Sequence, residues 1–276
     1  MRKRMMRIAV VAPSCTFSRE AAARLERLAE LRGDYEILVH PQCFLDDGHF
    51  AGPDEVRLAA LREAMADPAI DAIWFARGGY GSNRIAEAAV RDLPDAARSK
   101  TYLGYSDAGF LHAGFDKAGL TVAWGPMPQD LLRDDGEAAT GRALEWLVRR
   151  DPAALEPGLD GPAMAFNLTV LSNLLGTPLE PDFSGIDLLI EDVGEHHYRL
   201  DRTMFHLTAS ANVRSVRRIR LGRISDIPAN HPEFGAEDSE IVRDWCSRSG
   251  IEFGGAADIG HDSGNKVVPF RLSRDS

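Results

Sequence analysis

Thr101-Tyr102-Leu103-Gly104-Tyr105-Ser106-Asp107-Ala108 opens the reading of this chain. Residues 101–105 are β-prone, a small-residue turn follows, and residues 108–117 are compatible with a helix that starts at once. A serine on such a strand-to-helix turn projects its hydroxyl outward. The backbone N–H after it lies at a helix N-terminus, a position suited to an oxyanion. The stretch has the form of a nucleophile elbow, with Ala108 where G-x-S-x-G has its last glycine. A serine or aspartate here also serves many proteins simply as an N-cap. Nucleophilic chemistry at neutral pH requires a base and an orienting acid, which the chain must supply elsewhere.

Around this turn the first 150 residues alternate short apolar runs with amphipathic ones. The patterning predicts strands over 8–12, 36–40, 72–76, 101–105 and 120–124, with helices over 19–32, 54–66, 83–90 and 108–117. This βαβα rhythm implies a parallel sheet covered on both faces, with ligands outside the carboxyl ends of its strands. Residues 151–162 hold three prolines and two glycines with little periodicity and read as a linker. Beyond it, helices are expected over 167–175, 198–211 and 237–247. Strands are expected over 186–190 and 217–221, and on either side of His261. The expected fold class is α/β, an N-terminal parallel-sheet domain of Rossmann or flavodoxin type (1–150) with a smaller C-terminal α/β domain (163–276).

Composition narrows the functions. The chain has 276 residues, 44% hydrophobic and 27% charged, and so is expected to fold around real cores. A formal charge of −10 argues against a non-specific binder of nucleic acid or anionic membrane. Cys15, Cys43 and Cys246 are too few and scattered for a disulfide framework or zinc site. The basic start, Met1-Arg2-Lys3-Arg4-Met5-Met6-Arg7, precedes an apolar run too short for a signal peptide, and no stretch reaches the length of a membrane span. A soluble, cytoplasmic protein is expected.

Other segments carry candidate chemistry. Arg77-Gly78-Gly79-Tyr80-Gly81 follows a strand and precedes a helix, so its backbone can approach a ligand closely, or the glycines merely serve a tight turn. Glu191 and Asp192 close an apolar strand, where a buried carboxylate would need a partner such as an imidazole. Glu195, His196 and His197 have no third ligand spaced to complete a metal site. His261 lies in the turn-rich Gly260-His261-Asp262-Ser263-Gly264, expected to be mobile or exposed. His112 reads as a packing residue inside a helix. Cys15 is a rival nucleophile with nothing adjacent to lower its pKa.

Together these segments resemble the LD-carboxypeptidase family of serine peptidases, which includes muropeptide LD-carboxypeptidases and microcin C immunity peptidases. The motifs run in order along nearly the whole chain. They are the opening strand to Ala12-Pro13-Ser14, then Ala76-Arg77-Gly78-Gly79-Tyr80-Gly81-Ser82-Asn83-Arg84, Leu103-Gly104-Tyr105-Ser106-Asp107 and Trp124-Gly125-Pro126-Met127. Asn167-Leu168 through Leu175-Gly176-Thr177-Pro178, Ile190-Glu191-Asp192-Val193-Gly194-Glu195 and Gly260-His261 complete the set.

The resemblance implies Ser106 as nucleophile, Glu191 as orienting acid and His261 as base. It also implies an oxyanion hole from the N–H groups of Gly79 and Asp107. The N-terminal domain would then carry the nucleophile, and the C-terminal domain the acid and base. Arg77 and Arg84 are candidates for the substrate's terminal carboxylate, although either would serve equally in an ion pair. A homodimer is implied, with the active site in the cleft between the two domains of each chain, and neither metal nor cofactor is called for. The substrate would be a muropeptide tetrapeptide losing its terminal D-alanine in cell-wall recycling. Cleavage of aminoacyl-nucleotide amides, or peptide binding without catalysis, are the alternatives. Two departures stand out: Ala165-Phe166 where the family has glycines, expected to narrow the groove, and Asp262-Ser263 after His261.

Overall fold

The computed structural model describes residues 5–271, so Met1–Arg4 of the basic start lie outside it. Five strands run parallel: β1 (Met6–Val11), β2 (Tyr35–Val39), β3 (Ala72–Phe75), β4 (Thr101–Gly104) and β5 (Thr121–Trp124). Their order is β2-β1-β3-β4-β5, the flavodoxin arrangement, whose order reverses between β1 and β3. Every residue of β3 and β4 is buried. Successive side chains therefore enter opposite cores. Ile73, Phe75 and Tyr102 pack with α2 (Asp54–Ala66), α3 (Asn83–Arg91) and α4 (Gly109–Lys117). Ala72, Trp74 and Leu103 belong to the other layer, with α1 (Arg19–Arg32) and α5 (Gly136–Arg149). Ser18 caps α1 by accepting from the N–H groups of Glu20 and Ala21, and Gly33 in the left-handed region ends it.

The pattern reading contains no α5. Gly136, Thr140 and Gly141 dilute its helical signal, and only burial of Ala143, Leu144 and Leu147 on the sheet makes the stripe evident.

A second sheet holds β6 (Ala163–Asn167), β7 (Asp187–Val193), β8 (Arg218–Ser225) and β9 (Phe253–Ala256), all parallel and in sequence order. Between them lie α6 (Leu168–Leu174), α7 (His197–Ala209) and α8 (Asp238–Ser249). β6 escapes the sequence reading because it has no β-branched residue and no alternation; all five of its positions are buried. Phe166 packs against Phe183 and Phe270 rather than lining a groove, which overturns the expected narrowing at Ala165-Phe166.

Two features knit the sheets together. The segment read as a linker is packed: buried Glu156 takes both guanidinium N–H groups of Arg220 on β8, at 2.7 and 2.9 Å. After β9 the chain leaves the second sheet, and β10 (Val268–Pro269) pairs antiparallel with β5. The C-terminal segment thus ends in the first sheet, and the crossing between β9 and β10 carries His261.

Candidate active site

Ser106 stands two residues beyond β4 with φ at 60°, in the left-handed region that a non-glycine residue enters only under surrounding constraint. The strained turn aims its hydroxyl across the top of the sheet, as an elbow requires. Gly78 lies directly beside it: a Cβ there would stand 2.9 Å from Ser106 Oγ. Gly79, at φ +103°, passes over Cys15, whose Sγ a Cβ would meet at 2.3 Å. The close approach of this loop explains the glycine pair, which the sequence left open between ligand approach and tight turn.

The three residues of the expected triad converge. His261 Nε2 is 2.9 Å from Ser106 Oγ, and Nδ1 is 2.6 Å from Glu191 Oε2. With Glu191 ionised, Nδ1–H donates to the carboxylate, so Nε2 carries the lone pair that accepts from the serine hydroxyl. Glu191 is fully buried within β7, inside the strand rather than at its end. Burial raises its pKa, against the lowering effects of His261 and the Asn167 amide. For His261, burial opposes the charged imidazole, yet the charge and hydrogen bond of Glu191 outweigh it and hold the pKa above the ordinary histidine value.

His261 is not the mobile residue its glycine-flanked loop suggested; its side chain is only 8% exposed. Its ring lies 4.9 Å from that of Tyr105, and Arg133 donates to its carbonyl oxygen. Asp130 anchors both neighbours, accepting from Tyr105 Oη at 2.8 Å and Arg133 Nε at 3.0 Å. Asn265 Oδ1 accepts from Trp124 Nε1 at 2.9 Å, and Asp262 pairs with Arg223 of β8. The departure at Asp262-Ser263 is thus an anchor of the histidine loop. Asn167 and Asp192 brace the acid: Asn167 Nδ2 donates to Asp192 Oδ1 at 2.8 Å and reaches Glu191 Oε1 at 3.3 Å.

A cleft of about 620 Å³ opens over Ser106, lined from the first sheet by Gly79, Tyr80 and Asp107 and from the second by Asn167 and Glu195. A cavity of about 720 Å³ beneath residues 227–237 contains none of the triad. Arg77 and Arg84 do not line the cleft. Arg77 donates to the Thr16 carbonyl, and Arg84 is exposed and paired with Asp54. Amides, those of Asn83 and Asn173, occupy the cleft wall where a guanidinium was expected.

The other candidates are occupied otherwise. His196 and His197 contact the Pro228 carbonyl and the Asn230 amide, and no cluster of three metal-ligating side chains occurs among the described residues. His112 is wholly buried between Phe75 and Phe270, where desolvation lowers its pKa to about 3. Burial pushes the Cys43 and Cys246 thiols up to about 12.

The sequence reading did not find Tyr105, Asp130, Arg133 or the bracing role of Asn167. The Asp130-x-x-Arg133 spacing suggests a pair, but no signal links it to a histidine 128 residues onward.

Both halves of the chain are similar to known proteins. Residues 8–125 match the model of the LD-carboxypeptidase N-terminal domain, and residues 160–273 that of the LD-carboxypeptidase C-terminal domain. The chain is 30% identical to the probable murein peptide carboxypeptidase of Bacillus subtilis, over 81% of this chain and 74% of that protein. It is 28% identical to the murein tetrapeptide carboxypeptidase of Pseudomonas aeruginosa, over 96% of this chain and 91% of that one. The crystal structure of muramoyltetrapeptide carboxypeptidase from Oxalobacter formigenes superposes with a TM-score of 0.82 at 25% identity, covering 96% of this chain and 93% of the other. With both halves matched in order, and relatives sharing most of its length, the chain belongs to the LD-carboxypeptidase family.

Proposed function

We propose that this protein is a serine carboxypeptidase that hydrolyses the L–D peptide bond of muropeptide tetrapeptides, releasing terminal D-alanine. One observation carries the reading: a single imidazole bridges Glu191 and Ser106 at 2.6 and 2.9 Å, and Ser106 lines an open cleft. Ser106 Oγ attacks the scissile carbonyl as His261 Nε2 takes its proton, and Glu191 stabilises the imidazolium. The N–H groups of Gly79 and Asp107 receive the oxyanion. His261 then protonates the departing D-alanine amine, leaving an acyl-serine. A water that gives its proton to His261 hydrolyses this ester and restores the enzyme. The names of the bacterial relatives support the substrate class.

We place the reaction in the cytoplasm, in cell-wall recycling, and the enzyme in a homodimer. Exposed Tyr198 and Phe205 on α7 offer apolar area for such a contact. No helix among the described residues is long and apolar enough to cross a membrane.

Incubation of the protein with a muropeptide tetrapeptide tests the assignment. Mass spectrometry should show loss of one D-alanine, and the analogue ending in L-alanine should stay intact. No release by folded protein would overturn it.

Two further outcomes are expected. Hydrolysis should persist after exhaustive chelation, because His261 rather than a bound ion generates the nucleophile. Activity lost to chelator and restored by zinc would contradict the serine mechanism. On the pH axis, kcat/KM should fall as His261 becomes protonated. Since Glu191 raises the imidazole pKa, the midpoint of that limb should lie above the ~6.5 of an unperturbed histidine. A limb centred below that value would show that the Glu191 contact is not made in solution.

A further inference from the structure

Asp107 supplies a backbone N–H to the steps above, but its side chain takes no part in them. That side chain is buried, 3% exposed, and placed where three distant segments meet. Its Oδ2 accepts from Ser14 Oγ, beyond β1, at 2.5 Å and from the Ser82 N–H, at the start of α3, at 2.8 Å. In return, Ser82 Oγ donates to the Asp107 carbonyl at 2.5 Å. The glycine loop and the serine turn are therefore joined by reciprocal bonds between residues 82 and 107, with Ser14 as a third point.

These segments lie at the carboxyl ends of β1, β3 and β4, on either side of the reversal in strand order. The loop tied down at Ser82 is the one that brings Gly78 beside Ser106 and carries Gly79 next to it.

We propose that the Asp107 carboxylate is a positioning group that clamps the glycine loop to the nucleophile turn. It thereby holds the Gly79 and Asp107 N–H donors at the spacing the transition-state oxyanion requires. The inference rests on the nucleophile reading of Ser106. Oxyanion donors act through preorganisation, so a loop freed to move by a fraction of an ångström loses their effect while ground-state contacts survive. A carboxylate suits this task because both bonds to it come from donors. Removing the side chain leaves both donors without an acceptor and unties the loop from the turn.

The test uses Asp107→Ala and the rate at which an alkyl fluorophosphonate labels Ser106, which does not depend on peptide specificity. In labelling, the Oγ–P bond forms, the P–F bond breaks with departure of fluoride, and the serine proton passes to His261. Labelling per folded molecule should slow about 10²-fold, the scale of losing one oxyanion donor, while the tripeptide product binds as it does to wild type. A purely structural role would lower Tm but leave the labelling rate of folded molecules unchanged, and that result would overturn the proposal. Should Asp107→Ala fail to fold, Ser14→Ala keeps the carboxylate and removes one donor. About tenfold slower labelling is then expected, and a wild-type rate would overturn the clamp. A wild-type protein that resists labelling altogether would instead remove the nucleophile reading, and this inference with it.

Discussion

Ser106→Ala should lower kcat by about 10⁶ while the protein stays folded and still binds peptide. That factor corresponds to ~8 kcal/mol of transition-state stabilisation, lost because no other atom at the elbow can form the acyl bond. Residual hydrolysis above the uncatalysed rate should remain, since the oxyanion donors and the cleft walls are untouched. The rival role for a serine here is structural. Loss of a capping hydroxyl costs only ~1 kcal/mol of stability and leaves turnover per folded molecule nearly unchanged. In this structure Ser106 Oγ bonds to His261 Nε2, and the cap position of the short 3-10 turn is held by Tyr105 rather than Ser106. Release of D-alanine at near the wild-type rate by folded Ser106→Ala enzyme would falsify the serine mechanism.

Glu191→Gln should cost about 10⁴ in kcat with little change in fold, because the substitution alters protonation more than shape. The glutamine amide can donate to Nδ1, which reverses the tautomer and puts a proton on Nε2. Ser106 then faces a donor and has no base. The pH profile should move as well. Burial and the Arg133 charge lower the imidazole pKa, and the charge and hydrogen bond of Glu191 do most to raise it, so residual activity should persist to lower pH than in wild type. Asp192 is not placed to substitute: its oxygens accept from Asn167, Thr169 and the Val193 N–H. An unchanged rate and profile in Glu191→Gln would assign the orienting role to some other group.

Local patterns made much of the first sheet legible. Helices over 19–32 and 54–66 begin and end where their caps and apolar stripes indicate. Strands such as β3 and β4 read as short apolar runs because both their faces are covered. Legibility failed where an element's identity depends on what packs over it. α5 carries a glycine-diluted stripe, and β6 is an apolar run whose form only its neighbour β7 decides.

The site divides along the same line. Ser106 was readable because an elbow is a local object, built by five consecutive residues whose backbone alone aims the hydroxyl. The resemblance then pointed to Glu191 and His261, which lie 85 and 155 residues from Ser106 and carry no local mark of their partnership. Arg77 and Arg84, chosen for standing beside the glycine loop, turn away from the cleft to Thr16 and Asp54.

By itself the sequence determined the α/β alternation, the elbow with its serine, and the kinds of residue that serine would need. Tertiary structure decided the rest. It buried Glu191 in β7, returned the chain from β9 to β10 so that His261 crosses onto Ser106, and gathered Ser14, Ser82 and Asp107 at one carboxylate. The reason is physical: periodicity and turn chemistry act over a few residues. Burial and hydrogen bonding, which set tautomer, pKa and register here, depend on distances that only the folded chain defines.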